Sequence, residues 1–159
     1  LRRTFEINVL GPALLLKYAT QMMVEQGTGG HIINISTKNR DSPGKEFGMY
    51  SSTKAAIHQL FLVSALEEAK HSIRVNQIAP DAVFEGSGLW TPGIKQQRAA
   101  LYKVPPEKLP EFYRRRNMLG VEITGRDVAN AVFALETQLT KTTGAVIRVD
   151  GGLTELVGR

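Results

Sequence analysis

The chain has 159 residues, of which 42% are hydrophobic and 22% charged, and it contains 15 glycines, seven prolines and no cysteine. This length suits one domain with a buried core, and the composition excludes a disordered chain, a coiled coil and a collagen-like repeat. Disulfides, thiolate metal sites and a thiol nucleophile are also excluded, and the three histidines lack a metal-binding spacing, so no metal is expected. The net charge of +5 favours anionic partners.

The first predicted element is a helix over 2–25, which begins beside Leu1 rather than after a Met, so we expect the chain to be part of a longer protein. Pro12 cannot donate to the carbonyl of Asn8, which predicts a kink and a released carbonyl at that point. A glycine-rich turn over 27–30 follows. The β-branched run over 31–36 then lacks alternation and predicts a strand buried on both faces.

A polar loop over 38–48 leads to a second predicted helix over 50–70 and a second strand over 72–79. The proline-rich segment 81–122 predicts irregular structure with two short helices that cover a substrate site. Thr124 and Asp127 then predict the capped start of a helix that runs to Leu135.

A third strand is predicted over 144–149. Strands separated by helices imply parallel crossovers, with helices on both faces of the sheet. The predicted fold class is therefore α/β, the C-terminal part of a doubly wound Rossmann-like parallel sheet. No apolar run approaches the ~20 residues that span a bilayer, and no secretory signal is visible, so we expect a cytoplasmic protein with no membrane partner.

Tyr50 and Lys54 lie four residues apart on the second predicted helix, which places them on one face, one turn apart. A free tyrosine has a pKa of ~10 and exchanges protons poorly at neutral pH. A neighbouring ammonium group lowers that pKa, so the pair predicts a proton donor and acceptor. The same spacing also occurs in ordinary surface pairs, and the context has to decide between the two interpretations.

That context resembles the C-terminal half of the short-chain dehydrogenase/reductase family, from Phe5 to Gly152. The motifs occur in the family's order: a strand ending in Ser36-Thr37, then Tyr50-Ser51-Ser52-Thr53-Lys54, Asn76, and Val149-Asp150-Gly151-Gly152. The resemblance implies an oxidoreductase that moves a hydride between a small-molecule substrate and NAD or NADP.

The resemblance also implies residue roles. Tyr50 matches the general acid/base, and Lys54 matches the lysine that tunes it and binds the nicotinamide ribose. Asn8 matches the asparagine that holds a proton-relay water, although a helix residue that only contacts solvent remains the alternative. Thr37 stands thirteen residues before Tyr50, where the family has its catalytic serine. Its hydroxyl retains the chemistry, while its methyl group narrows the pocket, and Ser36 is expected to face the other way.

The cofactor residues show two further departures from the family. Pro80-Asp81 replaces the usual Pro-Gly beside the nicotinamide, which puts the path of that loop in doubt. Val83 is implied to meet the carboxamide through its backbone, and Ser87 is a candidate neighbour of the pyrophosphate. No glycine-rich dinucleotide motif occurs in residues 1–159, so we expect the chain alone to bind NAD(P) poorly and to be inactive.

Residues 76–84, 86–90 and 141–144 resemble a subgroup in which the dehydrogenase is joined to an aldolase that acts in rhamnulose-1-phosphate breakdown. This implies a larger polypeptide and a small hydroxy-aldehyde substrate such as lactaldehyde. Trp90 and Arg114–Arg116 are candidate substrate contacts, although Trp90 also suits lid packing and the arginines a solvated helix face.

Two other functions stay open on the sequence. The chain could be a non-catalytic scaffold or oligomerisation fragment, because the family associates through the helices that match 2–25 and 50–70. A homo-oligomer, dimer or tetramer, is expected in either case. A nucleic-acid binder rests on net charge alone, since Arg114–Arg116 has no interleaved aromatic residues, and no nucleic-acid partner is expected.

Overall fold

A three-stranded parallel sheet forms the centre of the molecule, and a computed structural model describes it within residues 2–158. The strands are β1 (Gly30–Ile35), β2 (Ile73–Pro80) and β3 (Val146–Val149), in the order β1-β2-β3. Gly30 pairs with Ile73 and Gln77 with Val146. The predicted parallel α/β sheet is confirmed, and each predicted strand is displaced by only one or two residues.

The two faces of the sheet are covered by different helices. These are α1 (Arg2–Phe5), α2 (Gly11–Gln26) and α3 (Gly48–Glu68) before β2, and α6 (Gly125–Thr137) before β3. Ile73 and Val75 pack with α2 and α3 in one apolar core, whereas Arg74 donates to the carbonyl of Leu135 on α6. Since neighbouring strand residues face opposite ways, α3 and α6 lie on opposite faces.

The helix around Pro12 contains a feature that the sequence did not predict. A π-helical turn over Glu6–Leu10 connects α1 to α2, and the amide of Gly11 donates to the carbonyl of Glu6. Pro12 then occupies the first turn of α2, where its missing N–H costs nothing. This widened turn lies immediately before the proline, at the place where the kink is predicted.

The prediction that β1 is buried on both faces is wrong. Its residues are half-buried, and Ile35 is 46% exposed. In the described part of the chain, β1 is an edge strand, so no neighbouring strand protects its outer side. The fully covered strand is β2, which lies between the other two and is buried along most of its length.

The segment 81–122 contains two helices, α4 (Pro92–Tyr102) and α5 (Leu109–Arg114), as predicted. Its aromatic residues form a cluster in which Trp90 stacks on Phe84 at 4.2 Å and meets Tyr113 edge-on at 5.5 Å. Between residues 2 and 158, no helix combines the length and apolarity needed to cross a membrane.

Candidate active site

A cavity of about 260 Å³ lies where β1 and β2 end. Ligands of open α/β sheets bind at the carboxyl ends of the strands, so this is the expected place for a site. Thr37 follows β1, Pro80 ends β2, and Tyr50 lies in the first turn of α3. Five of the sequence-predicted site residues contribute to the wall: Thr37, Tyr50, Pro80, Val83 and Ser87.

Thr37 and Tyr50 both line the cavity, and hydrogen bonding by the Thr37 side chain acts to lower the pKa of Tyr50. Burial has the larger and opposite effect, and it raises the pKa of Tyr50 above the ordinary value. Thr37 is itself buried, and its Oγ1 accepts from the amide of Asn39 at 3.3 Å. This contact holds the threonine hydroxyl in place.

Ser36 also contributes to the cavity wall, which differs from the expectation that Ser36 and Thr37 face opposite ways. The alternation of a strand does not extend to them, because β1 ends at Ile35 and Thr37 already caps the following 3₁₀ turn. The Oγ of Ser36 is buried and has no hydrogen-bond partner among the described residues.

Lys54 lies behind Tyr50 and outside the cavity wall as the structure describes it. Its Nζ is 5.8 Å from the centre of the Tyr50 ring, and burial lowers the pKa of the amine. The expected lowering of the Tyr50 pKa by this ammonium is not found, because burial sets the direction of the shift and the group that opposes it is Thr37 rather than Lys54.

Asn8 contacts the site through a residue that sequence reasoning missed. Its Nδ2 donates to Oγ1 of Thr53 at 3.2 Å, and that hydroxyl donates to the carbonyl of Tyr50 at 2.7 Å. Thr53 is fully buried between the two helices. Asn8 thus supports the first turn of α3 through Thr53, a role whose only sequence signal is a polar residue on the buried side of that helix.

The loop after β2 follows a path that does not need the family's glycine. The non-glycine residues with positive φ in the described chain are Glu46, Ser72 and Lys103, so Asp81 tolerates its Cβ. The amide of Asp81 donates to the carbonyl of Val149 at 3.1 Å. Replacement of Pro-Gly by Pro-Asp therefore leaves the backbone here in an ordinary conformation.

Val83 and Ser87 lie along this loop in the cavity wall. The carbonyl of Val83 accepts from Nε1 of Trp90 at 2.8 Å, and the Oγ of Ser87 accepts from the amide of Leu89 at 3.3 Å. The side chain of Trp90 therefore packs against this loop and also forms part of the cavity wall. The packing interpretation of Trp90 is confirmed, and its contact with a substrate stays a prediction.

Of the arginine run, only Arg116 reaches this cavity, while Arg114 and Arg115 are exposed. One nitrogen of Arg116 donates to both carboxylate oxygens of Asp81, at 2.9 and 3.2 Å. The sequence did not indicate Arg98, Tyr102 or Tyr113, which also line the wall. The spacing of Arg98 and Tyr102, one turn apart on α4, is the signal that could have linked them.

The described residues contain no cluster of three or more histidine and carboxylate side chains that could hold a metal. What the arrangement can do chemically is donate or accept a proton at one oxygen. Two neighbouring hydroxyl groups, from Thr37 and Tyr50, are held in a mostly apolar cavity. Such a pair suits the interconversion of a hydroxyl and a carbonyl group.

Comparison with known proteins agrees with this chemistry. The chain is 39% identical over 150 residues to the uncharacterized oxidoreductase YuxG of Bacillus subtilis, covering 92% of this chain and 22% of that protein. It is 29% identical over 152 residues to an L-rhamnose 1-dehydrogenase (NAD(P)(+)) of a Sphingomonas species, covering 95% of this chain and 55% of that enzyme. The chain thus spans about half, or less, of these relatives.

Among solved structures, sorbitol-6-phosphate 2-dehydrogenase SrlD from Erwinia amylovora superposes with a TM-score of 0.81 at 25% identity. The match covers 95% of this chain and 59% of that one. A family model described as enoyl-(acyl carrier protein) reductase matches residues 1–154. With this match over nearly its whole length, the chain belongs to the short-chain dehydrogenase/reductase family of oxidoreductases.

Proposed function

We propose that the chain is the catalytic portion of an NAD(P)-dependent enzyme that interconverts the hydroxyl and carbonyl forms of a small hydroxy compound or aldehyde. One observation carries this proposal: the side chains of Thr37 and Tyr50 line one cavity together, and Pro80 and Val83 contribute to the same wall. Lactaldehyde is the kind of substrate that the resemblance to the aldolase-linked subgroup implies.

In the direction of carbonyl reduction, Tyr50 donates a proton to the substrate oxygen. The phenol carries its proton at neutral pH, since burial raises a pKa that is ordinarily ~10, and this proton is the one that is transferred. Thr37 orients the same oxygen through its hydroxyl, and Lys54 supports the phenol from behind at 5.8 Å. When bound, NAD(P)H supplies the hydride.

The residues present fit one end of this cofactor. The cavity offers hydroxyl groups and the loop backbone from Pro80 to Val83, and the buried Oγ of Ser36 is a polar group without a partner among the described residues. Such a wall suits a nicotinamide and its amide group, and we propose Lys54, Tyr50, Pro80, Val83 and Ser87 as the residues that hold it. The sequence has no glycine-rich turn for the pyrophosphate, so we propose that residues beyond this chain provide the remainder.

The relatives support a hydroxylated substrate. One is named for L-rhamnose and another for sorbitol 6-phosphate, so both act on polyhydroxy compounds. The covered fraction of YuxG, 22%, shows that a relative of this chain is several times its length, which is compatible with the proposed aldolase association. That association itself is carried by the resemblance of residues 76–84, 86–90 and 141–144.

A second candidate function is an oligomerisation module without activity. It is favoured by the large apolar side chains exposed on α2 and α3, among them Leu15 and Leu66. We propose that these faces join copies of the chain into a homo-oligomer in either case. Measurable turnover would indicate an enzyme, and its absence an oligomerisation module.

The decisive experiment is Tyr50→Phe in the full-length polypeptide in which the chain occurs, assayed with NADH or NADPH and lactaldehyde. Loss of the proton donor should lower kcat by at least ~100-fold. Affinity for the reduced cofactor should stay nearly unchanged, because the ring remains. Tyr18→Phe is the matched control, since Tyr18 is exposed on α2. A Tyr50→Phe enzyme that retains its full rate would contradict the mechanism.

A further inference from the structure

Arg98 is a buried cation without a buried anion. Its side chain lies in the cavity wall on α4 and is only 2% exposed. The guanidinium donates to the carbonyl of Lys45 and to the hydroxyl of Tyr102, both at 3.1 Å, and both acceptors are neutral. Within residues 2–158 no carboxylate lies within 4 Å of it, and its Nε has no hydrogen-bond partner. Burial of an uncompensated charge is costly, so a ligand anion would be favourable here.

The other two cations of the wall already have partners. Arg116 binds the carboxylate of Asp81 at 2.9 Å, and Nζ of Lys38 lies 3.6 Å from the carboxylate of Glu155. Asp81 is the one carboxylate among the described residues of the wall. The cavity therefore carries an excess of positive charge, and that excess is located at Arg98.

Tyr102 reports on the same electrostatic environment. Burial raises the pKa of its hydroxyl, but hydrogen bonds with Tyr113 and Arg98 and the charges of Arg98 and Arg116 act against burial. The net result is a pKa below the ordinary value. The charges of Arg98 and Arg116 thus favour ionisation of this hydroxyl, whereas burial and the neighbouring Tyr102 raise the pKa of Tyr113 in the same wall.

Arg98 also lies at a distance from the Tyr50 ring that a small substrate can span. Its guanidinium carbon is 3.9 Å from the centre of the Phe47 ring, which is 5.6 Å from the centre of the Tyr50 ring. Laid end to end, these separations place the cation within about 9.5 Å of the Tyr50 ring. A molecule of a few carbon atoms can contact both.

From these contacts we propose that Arg98 binds a phosphate or carboxylate group on the substrate, so that the enzyme acts on a small anionic hydroxy or oxo compound. This inference rests on the proposed function and narrows its substrate class, small hydroxy compounds and aldehydes, to those that carry a phosphate or carboxylate group. A guanidinium offers a planar pair of donors, which matches both anions. Arg98 would then decide which end of the substrate faces Tyr50.

Binding tests the proposal without any need for cofactor or turnover. Trp90 is the single tryptophan of the chain and belongs to the cavity wall, so its fluorescence reports on ligands. We would titrate the protein with glycerol 3-phosphate and with glycerol, and with L-lactate and propane-1,2-diol, at constant ionic strength. If the site accepts phosphate, glycerol 3-phosphate should bind about tenfold to a hundredfold more tightly than glycerol, and if it accepts carboxylate, L-lactate should exceed propane-1,2-diol by the same factor. The proposal requires at least one of these two differences.

Two variants and a control separate charge from folding. Arg98→Met keeps the stem and should remove the preference for anions, whereas Arg98→Lys should retain part of it. Lys95→Met removes a positive charge from the same helix outside the described wall, and it should bind like the unaltered protein. Should Arg98→Met fail to fold, the paired titrations of the unaltered protein and Arg98→Lys still decide the question.

Three results would overturn the proposal. The first is equal binding of the charged and neutral compounds, and the second is no binding of either anion. The third is an Arg98 dependence confined to nicotinamide mononucleotide, which would assign the cation to the cofactor. Anion binding in a protein whose Tyr50→Phe variant keeps its full turnover would instead refute the proposed mechanism and leave the anion site standing.

Discussion

Thr37 is more tightly constrained than a serine would be at the same position. Its hydroxyl accepts from the amide of Asn39 at 3.3 Å, and its side chain acts on the pKa of Tyr50. The β-branched side chain has few rotamers, so these contacts hold its oxygen in one place. We expect the methyl group, which serine lacks, to narrow the cavity that Thr37 lines without removing the hydroxyl.

Substitution at position 37 tests whether this hydroxyl contributes to turnover. Thr37→Ser should keep or raise kcat, while Thr37→Ala should lower it about a hundredfold, the usual effect of removing one donor to the reacting oxygen. Steady-state assays of the full-length polypeptide with NAD(P)H measure both. Thr91→Ala is a matched control, because Thr91 also caps a helix but lies outside the described wall. Equal rates for all the variants would remove Thr37 from the site.

At the residue scale, prediction from sequence worked where the signal is local. The spacing of Thr37, Tyr50 and Lys54 correctly placed the first two in one cavity, because a strand end and a helix start meet there. Arg98 was missed for a physical reason. A buried arginine looks like a surface one in sequence, and its lack of a carboxylate partner depends on the residues that fold around it.

The helix α3 shows how packing changes the chemistry of a single element. His58 is half-buried on it, and Nη1 of Arg40 lies 2.6 Å from its Nε2. Burial lowers the pKa of His58; the hydrogen bond with Gln77 acts against this, and the charge of Arg40 adds to it. The imidazole is therefore kept neutral in the folded protein.

This neutral imidazole predicts a pH-dependent stability. The unfolded chain, with an ordinary histidine pKa of ~6.5, binds more protons than the folded one as the pH falls below that value. The free energy of unfolding should have its full value above pH ~6.5 and decrease as the pH falls towards the lowered pKa of His58. Urea unfolding at several pH values measures it.

His58→Gln should flatten this decrease, whereas His71→Gln should not, because His71 is exposed. An identical slope in the unaltered protein and His58→Gln would contradict the assignment. A decrease in the free energy of unfolding below pH ~5 does not report on His58, since carboxylates with lowered pKa values, such as Glu155, titrate there.

At the scale of helices and strands, the residue patterns predicted the ends of the elements closely. Thr124 and Asp127 form the predicted capping box at the start of α6, with both reciprocal hydrogen bonds present. Pro12 was correctly identified as a disturbance, but its consequence, a π-helical turn, was not. A helix can accommodate a missing N–H by bending or by widening one turn. The widened turn found here is accompanied by the hydrogen bond from Asn8 to Thr53 on α3.

On the scale of the whole molecule, the exposed apolar residues are concentrated on one layer. Leu15 on α2 is 75% exposed and Leu66 on α3 is 82% exposed. Exposed apolar faces of this kind mark association surfaces. They support the proposed homo-oligomer through the helices before and after β1.

The oligomer is tested by light scattering after size exclusion. The unaltered polypeptide should have a mass that is a multiple of one chain, and Leu66→Glu should shift it towards the monomer by placing a charge in the interface. Phe133→Glu is the control, because Phe133 is 62% exposed on α6, on the other side of the sheet. A monomeric unaltered polypeptide would refute the association.

By itself, the sequence determined the order of helices and strands, the parallel connection and the Tyr50–Lys54 pairing. These depend on residue periodicity and on spacings of a few residues, which are properties of the local chain. Only the tertiary structure decided that β1 is a half-exposed edge and that burial raises the pKa of Tyr50. It also left Arg98 as the buried cation without a carboxylate among the described residues. Burial and charge compensation depend on groups from distant parts of the chain, and no local pattern encodes them.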